Sequence, residues 1–285
     1  MRITNFGTTA LLFDDGIRQI MFDPHFTRPS GLKVVFGQLK TNEKIADDMI
    51  KAYMMDRLEA IFVSHSHYDH VMDVPYLAKK KNSSVYGSES VLNVARGGGV
   101  PEDKLHHFKP RDTVSVGEYT ITVIQAKHAK ASIFNNDFGE TINEPICQPA
   151  KRKVYKEGGS VDYLVEHRGK TYLFHPSFAC VEGQLDHIRA DVMFMSIAGL
   201  WEVSKKTRKH IFEETIGKVK PKVVIPVHWD DFFRGLDRKV REVPSFRKNH
   251  KSIVEELKRY CAEKGIECKV LMPLESVVYG GETEK

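Results

Sequence analysis

The stretch Ile61-Phe62-Val63-Ser64-His65-Ser66-His67-Tyr68-Asp69-His70 constrains this chain more than any other. A short β-branched and aromatic run leads into three histidines and one aspartate within six positions. Such a run, bounded by polar residues, reads as a buried strand. The cluster therefore begins where a strand ends and the chain turns, which is where α/β proteins build their sites. His65 and His67 can converge on one metal ion, with Asp69 and His70 aimed at a neighbouring position. Imidazole and carboxylate donors suit Zn²⁺, Mn²⁺ or Fe.

Around this stretch the chain reads as alternating strands and helices. Thr8 to Phe13 and Arg18 to Phe22 form a predicted hairpin about Asp14-Asp15-Gly16, ended by Asp23-Pro24. Residues 27–42 read as irregular and basic, and Glu43 to Asp56 as a helix. Val74 to Lys81 is a short helix entered through Pro75, Val85-Tyr86-Gly87 a strand, and Ser88 to Arg96 a helix capped by its serine. Asp112 to Gln125 alternates as strands about Gly117-Glu118 and runs to His128. Residues 129–160 are polar and without clean periodicity, so they read as an insertion, a lid near the site. Arg208 to Val219 is a helix, Lys222 to Val227 a buried strand ending at His228, and Ser245 to Lys264 an amphipathic helix stopped by Gly265. A last strand passes through Val270 and Met272. Residues 163–178 repeat the plan of 11–26: Leu164, Phe174, Pro176 and Phe178 fall opposite Leu12, Phe22, Pro24 and Phe26. Two similar halves within one domain spanning 1–285 follow from that match, and the class is α/β.

With 285 residues the chain can bury a core without disulfides. A net charge of +5, from 43 basic against 38 acidic residues, argues weakly for an anionic substrate and against a nucleic-acid partner. Cys147, Cys180, Cys261 and Cys268 form no CxxC, and no apolar run is long enough to span a membrane. The expectation is a cytoplasmic protein with a small-molecule substrate, no membrane association and room for a homo-oligomer.

His65-Ser66-His67-Tyr68-Asp69-His70 is the HxHxDH signature, and in it the chain resembles the metallo-β-lactamase superfamily along nearly its whole length. The resemblance implies a four-layer αββα sandwich with metal at the sheets' shared edge. It implies a first site of His65, His67 and His128, a second of Asp69, His70 and His228, and one or two Zn²⁺, with Mn²⁺ or Fe as alternatives. It also implies a hydrolase that turns a metal-activated water, oriented by Asp69, on an ester, lactone or phosphodiester. Asp23-Pro24 and Ile225-Pro226-Val227-His228 look most like the ascorbate-phosphate lactonase and phospholipase-D-like branch, although Thr8 stands where that branch often has a histidine after Gly7.

One departure stands out. The aspartate that bridges two metals in most members has no counterpart in Phe174-His175-Pro176-Ser177-Phe178. His175 or Ser177 can stand in, and a weaker second site is expected. Asp23 is expected to order the metal loops, His25 to touch substrate, and Trp229 and Asp230 to line the pocket. His106, His107, His167, His187, His210 and His250 read as surface residues. An iron-bound oxidoreductase on the same fold and a non-catalytic metal-binding protein are the alternative functions.

Overall fold

The protein is described by a computed structural model over residues 1–129, 137–242 and 250–280. Six strands open the chain: β1 (Arg2–Asn5), β2 (Leu11–Asp14), β3 (Gln19–Phe22), β4 (Leu58–Phe62), β5 (Ser84–Gly87) and β6 (Leu105–His107). Seven follow: β7 (Thr113–Val116), β8 (Tyr119–Gln125), β9 (Val161–His167), β10 (Lys170–His175), β11 (Val192–Ser196), β12 (Val223–Val227) and β13 (Glu267–Cys268). Strand β14 (Ser276–Val278) returns to the first group. Among the described residues they form two seven-stranded sheets, ordered β14-β1-β2-β3-β4-β5-β6 and β13-β12-β11-β10-β9-β8-β7.

The two halves share one plan. In the first sheet β1, β2 and β3 pair antiparallel and β3 through β6 parallel. In the second, β7 through β10 are antiparallel and β10 through β13 parallel. The repeat read from 11–26 and 163–178 is thus two equivalent hairpins, with Leu12 opposite Met21 in one and Leu164 opposite Leu173 in the other.

Alternation along the strands sets the layers. Ile20, Phe22 and Phe62 face Tyr163, Phe174 and Phe194 across the space between the sheets. Phe22 lies 5.4 Å from Tyr163 and 5.2 Å from Phe174, centroid to centroid, within the range of favourable aromatic pairs. Met21, Ile61 and Val63 face the other way, onto α2 (Glu43–Ala52), α4 (Val74–Lys81) and α5 (Glu89–Gly97). Leu173, Met193 and Val224 face α6 (Lys205–Phe212) and α7 (His250–Glu263). The result is the four-layer αββα sandwich. Among the described residues no helix is long and apolar enough to cross a membrane.

Several elements differ from expectation for local reasons. Residues 27–42 contain a short helix, α1 (Gly31–Phe36), started by the Ser30 side chain accepting from Lys33 N. Thr8 does not begin a strand. Gly7 (φ +82°) and Thr8 (φ +50°) form a turn closed by Phe6 N to Ala10 O at 2.9 Å. A Cβ on Gly7 would sit 2.2 Å from Arg28 Nη2, so only glycine fits. Ser88 precedes α5 but its hydroxyl caps nothing. His167 is not a surface residue: it is buried, with Nε2 3.1 Å from Asp15 Oδ2. Of the other four whose side chains are described, His107, His187 and His210 are exposed and His106 is half-buried. The side chain of His250 and the expected helical residues 245–249 lie outside the described residues.

Residues 130–136 of the expected insertion also lie outside the described residues. The rest of that segment is packed as a strap. Ile142, Ile146 and Tyr155 join the core on the helix side of the first sheet, and Ala150 bridges to Leu39.

Candidate metal centre

The site is built where β4 leaves its sheet. Asp23, at the end of β3, holds the loop: its Oδ1 accepts from Ser64 N at 2.7 Å and its Oδ2 from Ser64 Oγ at 2.7 Å and Thr9 Oγ1 at 3.1 Å. The same Oδ2 lies 2.7 Å from His70 Nδ1. The one-turn helix α3 (Tyr68–Val71) then presents Asp69 and His70 inward, both buried.

Two donor sets converge. The donor atoms of His65, His67 and His128 all lie within 4.8 Å of one another, as do those of Asp69, His70 and His228. The two sets touch, since the rings of His65 and His70 are 3.9 Å apart. Asp69 Oδ2 is 3.8 Å from His70 Nε2 and 3.5 Å from His228 Nε2. His128 arrives on the loop after β8, fixed by Ala129 N donating to Ser177 Oγ at 2.8 Å. His228 follows β12 in the left-handed region (φ +59°), its N–H held by Thr8 O at 2.6 Å.

The protonation states of His65 and His128 suit a cation. Burial, reinforced by the other histidines, holds His65 well below the usual imidazole range and His128 at about 3. Both are neutral at pH 7, as metal ligation requires. His65 Nδ1 is engaged by Ser64 Oγ at 3.0 Å while its Nε2 is buried with no partner, an arrangement that leaves one lone pair for an ion. Burial works against the charge on Asp69, but His70 and His228 outweigh it and its carboxyl stays far below the ordinary range. Burial likewise opposes charge on His70, and the Asp23 and Asp69 carboxylates override it to raise its pKa. Three imidazoles in one set, and two imidazoles with a carboxylate in the other, match the donors of zinc, manganese and iron.

The remaining expected residues divide. Asp23 takes the ordering position described above. Ser177 lines the cavity above the donors and also anchors the His128 loop. His175 is turned to Asp162, Nδ1 to Oδ2 at 2.7 Å, with its Nε2 buried and unpartnered. His25 is fully buried beside Thr8 and the edge of Tyr68 and does not line the cavity. Burial keeps it neutral, at about 3. Trp229 is core, packed among the apolar residues under α6 and α7. Asp230 is an internal tie, paired with Arg28 at 2.7 Å and accepting from Thr8 N at 2.7 Å. The aromatic wall comes instead from Phe232 and Phe233, with Trp201, Tyr155 and Leu32 opposite, around a cavity of about 490 Å³.

Sequence reading missed Thr9, Asp162 and Asp137. Asp137 Oδ2 lies 3.2 Å from His67 Nε2, across seventy positions of chain. Only the partner's position in space could have revealed it.

The comparisons with known proteins bear on the family and the fold. A family model described as "Beta-lactamase superfamily domain" matches residues 18–229. A protein of Chloroflexus aurantiacus named "UPF0173 metal-dependent hydrolase" is 23% identical over 259 residues, covering 89% of this chain and 92% of its own. Among solved structures, Igni18, a metallo hydrolase from Ignicoccus hospitalis, superposes with a TM-score of 0.61 at 15% identity, covering 99% of both chains. CmlA, a diiron β-hydroxylase from Streptomyces venezuelae, superposes with a TM-score of 0.62 at 11% identity, over 97% of this chain and 53% of its own. A family match of that extent makes the chain a member of the β-lactamase superfamily, in which the relative named above is called a metal-dependent hydrolase.

Proposed function

We propose that this protein hydrolyses an ester, lactone or phosphodiester bond in a small molecule, with His65, His67 and His128 holding one metal ion and Asp69, His70 and His228 a second. Zinc is the ion the donor set favours, with manganese and iron as alternatives. The observation that carries the reading is the pair of adjacent donor sets opening on a cavity of about 490 Å³. An ion held there lowers the pKa of a water from 15.7 to about 7 and polarises a carbonyl or phosphoryl oxygen. The chain's own residues do the rest. Asp69 is ionised and stands between His70 and His228, placed to orient a water. Phe232, Trp201 and Leu32 give the cavity apolar walls, which favours substrates with an aliphatic or aromatic group beside the scissile bond.

The four cysteines are free, which fits a reducing cytoplasm. The mild net charge of +5 argues weakly against a nucleic-acid partner. Zinc-loaded protein should be screened against short- and long-chain esters, lactones and phosphodiesters. Hydrolysis of at least one class, absent in His67→Ala, is expected. No turnover of any class, with metal content unchanged in His67→Ala, would overturn the reading. Metal analysis and the colour of the purified protein separate iron from zinc.

A further inference from the structure

We propose that Asp137, carried on the strap between β8 and β9, is a positioning residue for His67 and sets how tightly the first donor set holds its metal. The proposal rests on the reading of His67 as a metal ligand. An imidazole has two nitrogens. In His67, Nε2 lies 3.2 Å and 3.3 Å from the two carboxylate oxygens of Asp137. A proton held on Nε2 by that carboxylate leaves the lone pair on Nδ1, fixes the ring and makes it a stronger donor. The first set needs such help more than the second. It consists of three imidazoles with no carboxylate, whereas the second contains Asp69 and has His70 already seated on Asp23. Asp137 brings one negative charge to the edge of the first set.

Asp137 is itself held in place. Its Oδ2 accepts from Glu157 N at 3.1 Å. Glu157 O accepts in turn from Ser66 N at 3.0 Å, and Ser66 Oγ donates to Lys156 O at 2.6 Å. Ser66 separates His65 from His67 in the chain, so the contacts close a ring around the metal loop. The neighbouring Gly158 (φ +70°) lets the strap approach: a Cβ there would lie 2.3 Å from Ser66 Oγ and 2.4 Å from Ser90 Cβ.

The test is metal affinity, read by competition with a chromogenic chelator for the parent, Asp137→Ala, Asp137→Asn and His67→Ala, with Zn²⁺ and with Co²⁺. Asp137→Ala should weaken the tighter equivalent about ten- to a hundredfold and leave the weaker one unchanged. Asp137→Asn, which keeps an acceptor and loses the charge, should fall between. The Co²⁺ absorption bands of the first equivalent should keep their positions, because the ligands are the same. Unchanged affinity in Asp137→Ala overturns the proposal. So do Co²⁺ bands that report a lost ligand, or an equal weakening of both equivalents together with a lower melting point of the metal-free variant. Full metal in His67→Ala would instead overturn the reading of His67. Loss in His67→Ala without loss in Asp137→Ala would overturn the positioning role alone.

Discussion

The hairpins β2–β3 and β9–β10 end on the same chemical pair turned round. In the first, the strand-end residue is a carboxylate, Asp23, and the imidazole of His70 comes to it from α3. In the second, the strand-end residue is an imidazole, His175, and its carboxylate is Asp162 of the adjoining strand. The consequences differ. A carboxylate accepts several bonds at once, so Asp23 gathers Ser64, Thr9 and His70 and thereby orders the loop that bears the metal donors. An imidazole seated on one acceptor organises nothing beyond itself, and His175 Nε2 is left buried without a partner. Internal similarity has kept the position and not its use.

The comparison can be broken most decisively at the donors themselves. His67→Ala should reduce hydrolysis to background and remove about one equivalent of metal, because an open site with three protein ligands does not survive the loss of one. Full metal content by elemental analysis would show that His67 is not a ligand of the tighter metal.

Next in size is the contrast between the two strand ends. Asp23→Ala leaves the Ser64 and Thr9 donors and His70 without their acceptor, and should cost about 3–5 kcal/mol in urea unfolding and weaken the second metal. His175→Ala should cost about 1–3 kcal/mol with little change in metal content, since it orphans only Asp162. Equal effects would erase the distinction drawn here.

Both halves also bury a carboxylate with a raised pKa, by desolvation: Asp162 in the second, and Asp73, at about 6, in the first. The sign follows from proton binding. Between about pH 4 and pH 6 the folded protein holds a proton on Asp73 that the unfolded chain has released, so this group's contribution falls as pH rises through that window and is constant above it. At about 1.4 kcal/mol per pH unit the change is about 3 kcal/mol. The metal-free parent should therefore lose stability relative to Asp73→Asn across that window. Parallel pH profiles would show that Asp73 titrates normally.

The smallest expected effect concerns the second metal. Its donor set has the single carboxylate Asp69. During dialysis against a weak chelator the second equivalent should leave first, and Ser177→Asp should slow its loss. Equal retention of both metals in the parent would mean that one carboxylate suffices.

Much of this was legible before any coordinates. His65, His67, Asp69, His70, His128 and His228 all follow apolar runs, and an apolar run that stops abruptly in polar residues marks a strand's edge. Nearness in sequence is a weaker guide. His25, Trp229 and Asp230 adjoin site residues along the chain but do not line the cavity. The chain turns at His228 (φ +59°), so His228 stands among the donors while Trp229 enters the core. Helix α1 was hidden because Leu32, Val35 and Phe36 are exposed and leave no apolar stripe toward a core. Asp137 and Asp162 act on histidines far along the chain or across a strand pair, and no spacing encodes such contacts.

Strand β14 has a consequence for the order of assembly on the ribosome. It pairs with β1, Arg2 opposite Val278, and Leu274 N donates to Asn5 O at 2.6 Å. Strand β1 is therefore made well before the strand it pairs with. At translation rates of about 5–20 residues per second, the free edge of β1 stands open for on the order of tens of seconds. An open strand edge is a template for pairing with another chain. The nascent polypeptide passes through that vulnerable interval each time it is synthesised.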